Sequence, residues 1–230
     1  MALAVDAISN SGAKSSADPW TWSHTCSGSN RVLVVAVSSD NDFPSSVTYN
    51  GVALTQVAGA SIQHATNTAK KVSLWYLIAP ATGSNTVSVD FPDGNYGAAG
   101  AISFTGADQT TQPDIESEEQ ATATSNTLNI STVTDGAYIV DAIQKDAGTT
   151  ALTMDAGQTE IYNFSPTFNR SGGSYKAAGT PGAKTMTWTW GTDNQEYAHA
   201  AIAIKPAAET GGSSQSATAY MTTNTGFWGN

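Results

Sequence analysis

Carboxylates are the side chains of this chain with the most obvious chemistry, because a pair of Asp or Glu residues can hydrolyse a glycosidic bond. The candidates by residue type alone are Asp90, Asp93, Asp141, Asp146, Asp193 and Glu196. Their spacing selects no pair. Asp93 and Asp193 also stand in Asp-Gly-Asn and Asp-Asn-Gln stretches, where Asp is favoured by backbone hydrogen bonding in turns. We therefore predict that the chain is not an enzyme.

Histidine and cysteine chemistry is equally unsupported. The three histidines lie far apart, with neither an HExxH motif nor any paired spacing typical of a metalloenzyme. His199 occupies the position of Ala99 in an internal repeat described below, which favours a place in a sheet over a ligand. Cys26 is the single cysteine, so no intrachain disulfide can form, and a small buried hydrophobe is the expected role.

Loop oxygens of Asp40, Asn41 and Asp42 could coordinate calcium, but they fall short of an EF-hand pattern, so no metal site is predicted. Phosphate-binding and dinucleotide motifs are missing too. The glycine-rich stretch 97–101 (GAAGA) lies inside a strand pattern, where small residues allow close packing of backbones or sheets. No cofactor is predicted.

Tryptophan faces can stack on sugar rings, which makes a carbohydrate-binding module a second hypothesis. Trp188 and Trp190 alternate with threonines, however, and this pattern predicts burial in a core. We expect the same of Trp20 and Trp22. The tryptophans left as candidate exposed contacts are Trp75 and Trp228.

Alternation of apolar and polar residues predicts the strands that would position these side chains. Val87, Val89 and Phe91 alternate with polar residues, as in a strand with one buried face. The stretch 31–38 (RVLVVAVS) is apolar on both faces, which predicts a central strand covered on each side. Asn50-Gly51 between two apolar alternations predicts a hairpin with a type I′ turn.

An internal repeat organises the chain. The pattern of 70–107 returns about a hundred residues later: residues 87–91 match 186–190, residues 98–104 match 198–204, and residues 33–37 match 138–142. The half-units span about 20–106 and 126–205. We predict one all-β domain, residues 1–207, an antiparallel β-sandwich of jelly-roll type built from two similar half-units. Either each half contributes strands to a shared core, or the halves form two tandem small sandwiches.

Two polar segments stand apart from the repeat. The connector 106–126 is acidic, and its residues Glu116, Glu118 and Glu119 are typical of a solvated edge strand rather than a site. Residues 208–230 begin as a Gly/Ser linker and continue into an aromatic segment. This segment either folds back on its own domain or docks on a neighbour, and the predicted docking residues are Tyr220, Met221, Phe227 and Trp228.

Charge and hydropathy exclude several classes of partner. The net charge of −10, with only nine Lys and Arg residues, argues against binding to nucleic acid or to an anionic membrane. No stretch is apolar enough for a membrane span, and MALAVDAIS lacks the basic region of a signal peptide. We expect a chain that is made and folded in a cytoplasm.

Several stretches resemble β-sandwich proteins of tailed phages, with related modules in bacterial surface proteins. These are SHTCSGSNRVLVVAVSSDN, VTYNGVALTQV, VSLWYLIAPATGSNTVSV, GAISFTGADQTTQP and AHAAIAIKPA. The resemblance spans about residues 1–207 and implies a virion structural protein, either a capsid decoration protein or a head or tail fibre component. Its implied partners are other virion proteins or copies of itself. The alternative is an adhesin-like module that binds host-surface glycans.

Overall fold

The computed structural model describes residues 2–146, 150–165, 169–192 and 194–208, and their regular structure is β-strand throughout. The first half contains β1 (Ala4–Asn10), β2 (Lys14–Ala17), β3 (Trp20–Cys26), β4 (Val32–Asp40), β5 (Ser46–Tyr49), β6 (Val52–Ala53), β7 (Thr55–Gln63), β8 (Lys70–Ile78), β9 (Gly83–Asp90) and β10 (Asn95–Thr105). The second half contains β11 (Ile115–Ala123), β12 (Ser125–Thr132), β13 (Ala137–Asp146), β14 (Thr153–Met154), β15 (Thr159–Phe164), β16 (Asn169–Gly179), β17 (Gly182–Thr189) and β18 (Gln195–Ile204).

Each half folds into one large and one small antiparallel sheet. The first large sheet has the order β1-β10-β4-β8-β7, with β2 also paired to β10, and the first small sheet has the order β3-β9-β5-β6. The second half repeats this plan as β11-β18-β13-β16-β15 and β12-β17-β14. The predicted all-β antiparallel sandwich is confirmed, while its jelly-roll type stays a prediction.

The four sheets stack in the order small, large, large, small. Leu33, Val35 and Val87 fill the core of the first half, and Ile139 and Met186 belong to that of the second. A middle core joins the two large sheets, with Val34, Ala36, Val140, Ala142 and Ile202 among its members. Each half is therefore a sandwich in itself, and both contribute to a shared core. The predicted central strand, β4, is buried on both faces because it lies in a middle layer.

Strand pairing corrects one part of the predicted repeat. Ala36 pairs with Gly100 as Ala142 pairs with Ala200, so residues 33–37 match 139–143 rather than 138–142. A slip of one residue exchanges the two faces of a strand. Leu33 and Ile139 accordingly face the outer cores of their halves, while Tyr138 packs at the middle core. Both faces of β4 and of β13 are buried, so no alternation in the sequence indicates this register.

The predicted turn at Asn50-Gly51 is confirmed. Tyr49 pairs with Val52, and the two turn residues have positive φ angles of 50° and 74°, as a type I′ turn requires. β11 is an edge strand of the second large sheet, as its glutamates predicted. It lies beside β7, where the Glu118 carboxylate accepts a hydrogen bond of 3.1 Å from the Ser61 amide.

Glycines allow the middle layers to approach each other closely, as the GAAGA stretch predicted. Within the first large sheet, a Cβ atom on Gly97 would lie 2.1 Å from the carbonyl oxygen of Ser38 on the neighbouring strand. At Gly100 and Gly173 a Cβ atom would lie 2.5 and 2.3 Å from the ring of Tyr162. Tyr162 therefore fills a slot between the halves that only glycine backbones leave open.

Candidate functional site

The four predicted docking residues, Tyr220, Met221, Phe227 and Trp228, lie outside the described residues. The described residues contain no helix long and apolar enough to cross a membrane. Among the described residues, three clusters of polar or titratable side chains and one surface groove are candidate functional sites.

A buried polar network lies in the core of the second half. Asp141 Oδ2 is 3.0 Å from His199 Nε2 and accepts a 2.8 Å hydrogen bond from the indole nitrogen of Trp188. Asp141 Oδ1 accepts 2.7 and 2.8 Å bonds from the backbone nitrogen and hydroxyl of Ser174. His199 and Asp141 are both fully buried, so neither side chain can reach a substrate in solution.

Asn126 extends this network to the surface. Its amide nitrogen donates to Glu119 (3.0 Å) and to the hydroxyl of Tyr197 (2.7 Å), and its amide oxygen contacts His199 Nδ1. Both ring nitrogens of His199 thus have a polar partner, Asn126 on one side and Asp141 on the other. Burial raises the pKa of Tyr197 to about 12, so its hydroxyl stays protonated.

The first half has an apolar core at the equivalent positions. Strand pairing matches Asp141 to Val35, His199 to Ala99 and Ser174 to Trp75, and likewise Trp188 to Val89 and Asn126 to Trp20. All five first-half residues belong to one buried cluster. His199 therefore occupies a sheet position, as predicted, but its pairing with Asp141, which is distant along the chain, was not predicted.

A serine and a histidine meet at the edge of the first half. The indole nitrogen of Trp22 donates to Ser9 Oγ at 3.0 Å, and Ser9 Oγ lies 2.8 Å from His24 Nδ1. Burial lowers the pKa of His24 to about 4 against the opposing effect of Asp6, so the ring is neutral at pH 7. A hydroxyl bonded to a neutral imidazole resembles a nucleophile with its base.

The third member of such a triad is missing among the described residues. His24 Nε2 has no hydrogen-bond partner there, while the Asp6 carboxylate accepts bonds from Ser27 and Ser103 instead. No carboxylate orients the ring, which a catalytic triad requires. Burial also raises the pKa of the Cys26 thiol, consistent with its expected role as a buried hydrophobe.

The end of the molecule where β4 and β13 finish carries an ion-pair cluster, which we call the distal end. Lys70 Nζ lies 2.8 Å from Asp40 Oδ1 and 3.1 Å from Asp146 Oδ1, so one ammonium links the two halves. Asp40, one of the weak calcium candidates, is thus held in an ion pair. Asp42 contributes its backbone carbonyl to bonds from Ser39 and Asn95. The described residues contain no cluster of His, Cys, Asp or Glu suited to a metal ion.

The described tryptophans are buried or half-buried. Burial of Trp188 and Trp190 is confirmed, and Trp20 is equally inaccessible. The prediction that Trp75 is exposed was wrong: only 7% of it is accessible, and its indole nitrogen donates to Ser73. Because β8 lies in a middle layer, the face opposite Leu74 packs in the first-half core instead of meeting solvent.

The surface groove lies at the opposite, terminal end and encloses about 720 Å³. Leu3, Ala137, Tyr138 and Pro206 contribute apolar lining, and Ala208, where the described chain ends, lies on the same groove. Asp108, Asp135 and Lys205 supply its charged groups. Hydrogen bonds from Thr110 and Thr111 hold the pKa of Asp108 at about 2, so this carboxylate is charged at neutral pH.

Two further features make the groove suited to an extended peptide. The ring of Tyr138 lies between those of Phe104 and Tyr175, with centroid distances of 5.5 and 6.4 Å. β15 pairs with β16 only from Ser171 to Tyr175, so among the described residues no strand covers the outer edge of residues 176–179. Aromatic rings and an open sheet edge thus lie together near Ala208.

No protein-family model, curated protein or solved structure matches the chain.

Proposed function

We propose that the chain is a non-enzymatic structural protein of a phage particle, a capsid decoration protein or a head or tail fibre component, that acts by docking to neighbouring proteins. The resemblance of residues 1–207 to phage β-sandwich proteins supports this assignment. Its partners are other virion proteins or further copies of the same chain, and its place is the assembled particle.

One observation carries the proposal: both ends of the described chain reach the same groove. Ala2 and Leu3 line it together with Ala207 and Ala208. The distal end, with the linked side chains Asp40, Lys70 and Asp146, lies at the other ends of β4 and β13. Docking through the groove would therefore place the distal end on the outward side.

The carbohydrate-binding alternative receives less support. It needs an aromatic side chain with a free face, and Trp75, one of its two candidates, is buried. The other, Trp228, lies outside the described residues. A glycan-binding screen is the direct test of this alternative. Binding of a glycan that the free carbohydrate competes away would favour it.

Co-sedimentation with particles tests the proposal. Phage particles assembled without this protein are mixed with the purified full chain and pelleted. We expect saturable binding at a fixed number of copies per particle, because docking sites on a virion repeat with its symmetry. Absence of binding, or binding that never saturates, would overturn the assignment. Serum albumin at the same concentration serves as the control for trapping.

A further inference from the structure

The terminal groove suits an occupant that is extended, apolar and not anionic. Its rim carries the carboxylates of Asp108 and Asp135 against the single ammonium of Lys205, so an anionic peptide is disfavoured. The uncovered edge of residues 176–179 offers backbone hydrogen bonds to an added strand, and Tyr138 offers a half-buried ring. Strand addition with aromatic anchoring satisfies these features together.

The chain supplies a segment of this chemistry. Residues 218–230 (TAYMTTNTGFWGN) contain no Lys, Arg, Asp or Glu but include Tyr220, Met221, Phe227 and Trp228. An uncharged segment can be buried without the cost of desolvating a charge. Left in solvent, the same aromatic side chains would favour aggregation.

The connecting residues can bring this segment back to the groove. Residues 209–217 (ETGGSSQSA) start beside Ala208, which lines the groove, and are rich in Gly and Ser. A flexible linker of this length spans about 15–18 Å on average, whereas the four uncovered residues of β16 span about 13 Å. The end of the linker can therefore reach either end of the open edge.

We propose that the groove is the binding site for the chain's own C-terminal segment, residues 218–230, which lies along the outer edge of residues 176–179 with an aromatic side chain against Tyr138. The same chain is favoured over a second copy because a short linker gives an effective concentration in the millimolar range. The inference goes beyond the proposed function. In the free protein the segment occupies the groove of its own chain, and in a particle it leaves that groove and binds to a neighbouring protein.

Thiol reactivity in the isolated full chain tests the inference. Ala177→Cys places a thiol on the open edge of β16, where Ala177 is exposed among the described residues. Cys26, the sole native cysteine, is buried and has a raised pKa, so it does not compete for the reagent. We expect alkylation of this thiol to become about tenfold faster when Phe227→Ser and Trp228→Ser are added.

Two controls give the result its meaning. Thr222→Ser with Thr223→Ser should leave the alkylation rate unchanged, because the aromatic anchors remain. A thiol at Thr66→Cys, at the distal end, should react at one rate in every background. If Ala177→Cys prevents folding, Ala208→Cys, which is also exposed and lines the groove, serves as the probe.

An equal alkylation rate with and without Phe227 and Trp228 would overturn the inference. So would protection that disappears on about a hundredfold dilution, because only a second copy gives a concentration-dependent effect. Protection that survives dilution supports the segment of the same chain. Since no particle takes part, failure here leaves the co-sedimentation result untouched, and failure there leaves this one untouched.

Discussion

Tyr162 lies between the two halves. It is on β15 of the second half and contacts Ser38 of the first half. Its hydroxyl is 2.8 Å from Ser38 Oγ, which in turn donates to the carbonyl of Ile143 at 2.9 Å. The tyrosine is therefore the donor to Ser38. Burial raises its pKa far above the usual range, so the hydroxyl keeps its proton in the folded protein.

Tyr162→Phe should lower the free energy of unfolding by about 1 kcal/mol, because one buried hydrogen bond is lost while the ring stays. Gly173→Ala should cost more, about 1–3 kcal/mol, since its Cβ atom would overlap the same ring. Urea denaturation measures both. Tyr76→Phe, at a half-buried tyrosine of the first large sheet, is the matched control. Equal effects at positions 76 and 162 would contradict this account of the slot.

His24 should make stability depend on pH. With a pKa of about 4 when folded and its usual 6.5 when unfolded, the unfolded chain binds a proton that the folded chain does not in this window. The free energy of unfolding therefore falls as the pH drops from 6.5 to 4, by about 2–3 kcal/mol from this residue. His24→Gln keeps an acceptor for Ser9 but does not titrate.

Urea midpoints of the parent and of His24→Gln, compared at several pH values across this range, check the prediction. The variant should lose less stability than the parent as the pH falls, and the two curves should run parallel below pH 4. Parallel curves through the whole range would show that burial does not suppress protonation of His24.

At this scale the sequence predicted burial well only where one face of a strand is wet. Trp188 and Trp190 alternate with threonines on an outer sheet, and their burial was foreseen. Trp75 belongs to a middle layer, where both faces are covered, so alternation carried no information about it. The Tyr162 slot had one unused signal: Gly173 in the second copy replaces Leu74 of the first, leaving room for another side chain.

Among the elements, β13 and β18 carry the largest difference between the halves. Asp141 on β13 and His199 on β18 form a buried hydrogen-bonded pair where the first half has Val35 and Ala99. Removing one member leaves a buried polar group without its partner, which costs about 1–3 kcal/mol. Removing both eliminates that unsatisfied group.

We therefore expect Asp141→Val combined with His199→Ala to destabilise the chain by about 2 kcal/mol less than the sum of the two single changes. Urea denaturation of the parent, both single variants and the double variant completes the cycle. The double variant still leaves the indole nitrogen of Trp188 and the amide oxygen of Asn126 without partners, so it should not reach parental stability. Additive effects would show that the two side chains do not stabilise each other.

Element by element, the strands were largely predictable and their stacking was not. Period-2 patterns located β9 and β17, the Asn-Gly turn located β5 and β6, and the repeat implied equivalent sheets. The pairing of Asp141 with His199 required knowledge of which residues face each other across β13 and β18. A strand that is apolar on both faces has its register set by its neighbours. The predicted match of β4 with β13 was therefore wrong by one residue.

On the scale of the whole molecule, the two sandwiches pack through their large sheets and leave two unlike ends. At the distal end, the ammonium of Lys70 pairs with the carboxylates of Asp40 and Asp146 and so links the two halves. The terminal end has the groove and both ends of the described chain. If the protein docks in a particle as proposed, the terminal end must face the particle and the distal end must face solvent.

Site-specific thiol labelling on assembled particles tests this orientation most directly. Thr66→Cys marks the distal end and Asp135→Cys marks the terminal end, and both positions are exposed in the free chain. Each variant is alkylated free in solution and after binding to particles. The account predicts that the thiol at position 66 keeps its rate on binding, while the thiol at position 135 becomes protected. Protection at 66 with free reaction at 135 would contradict it.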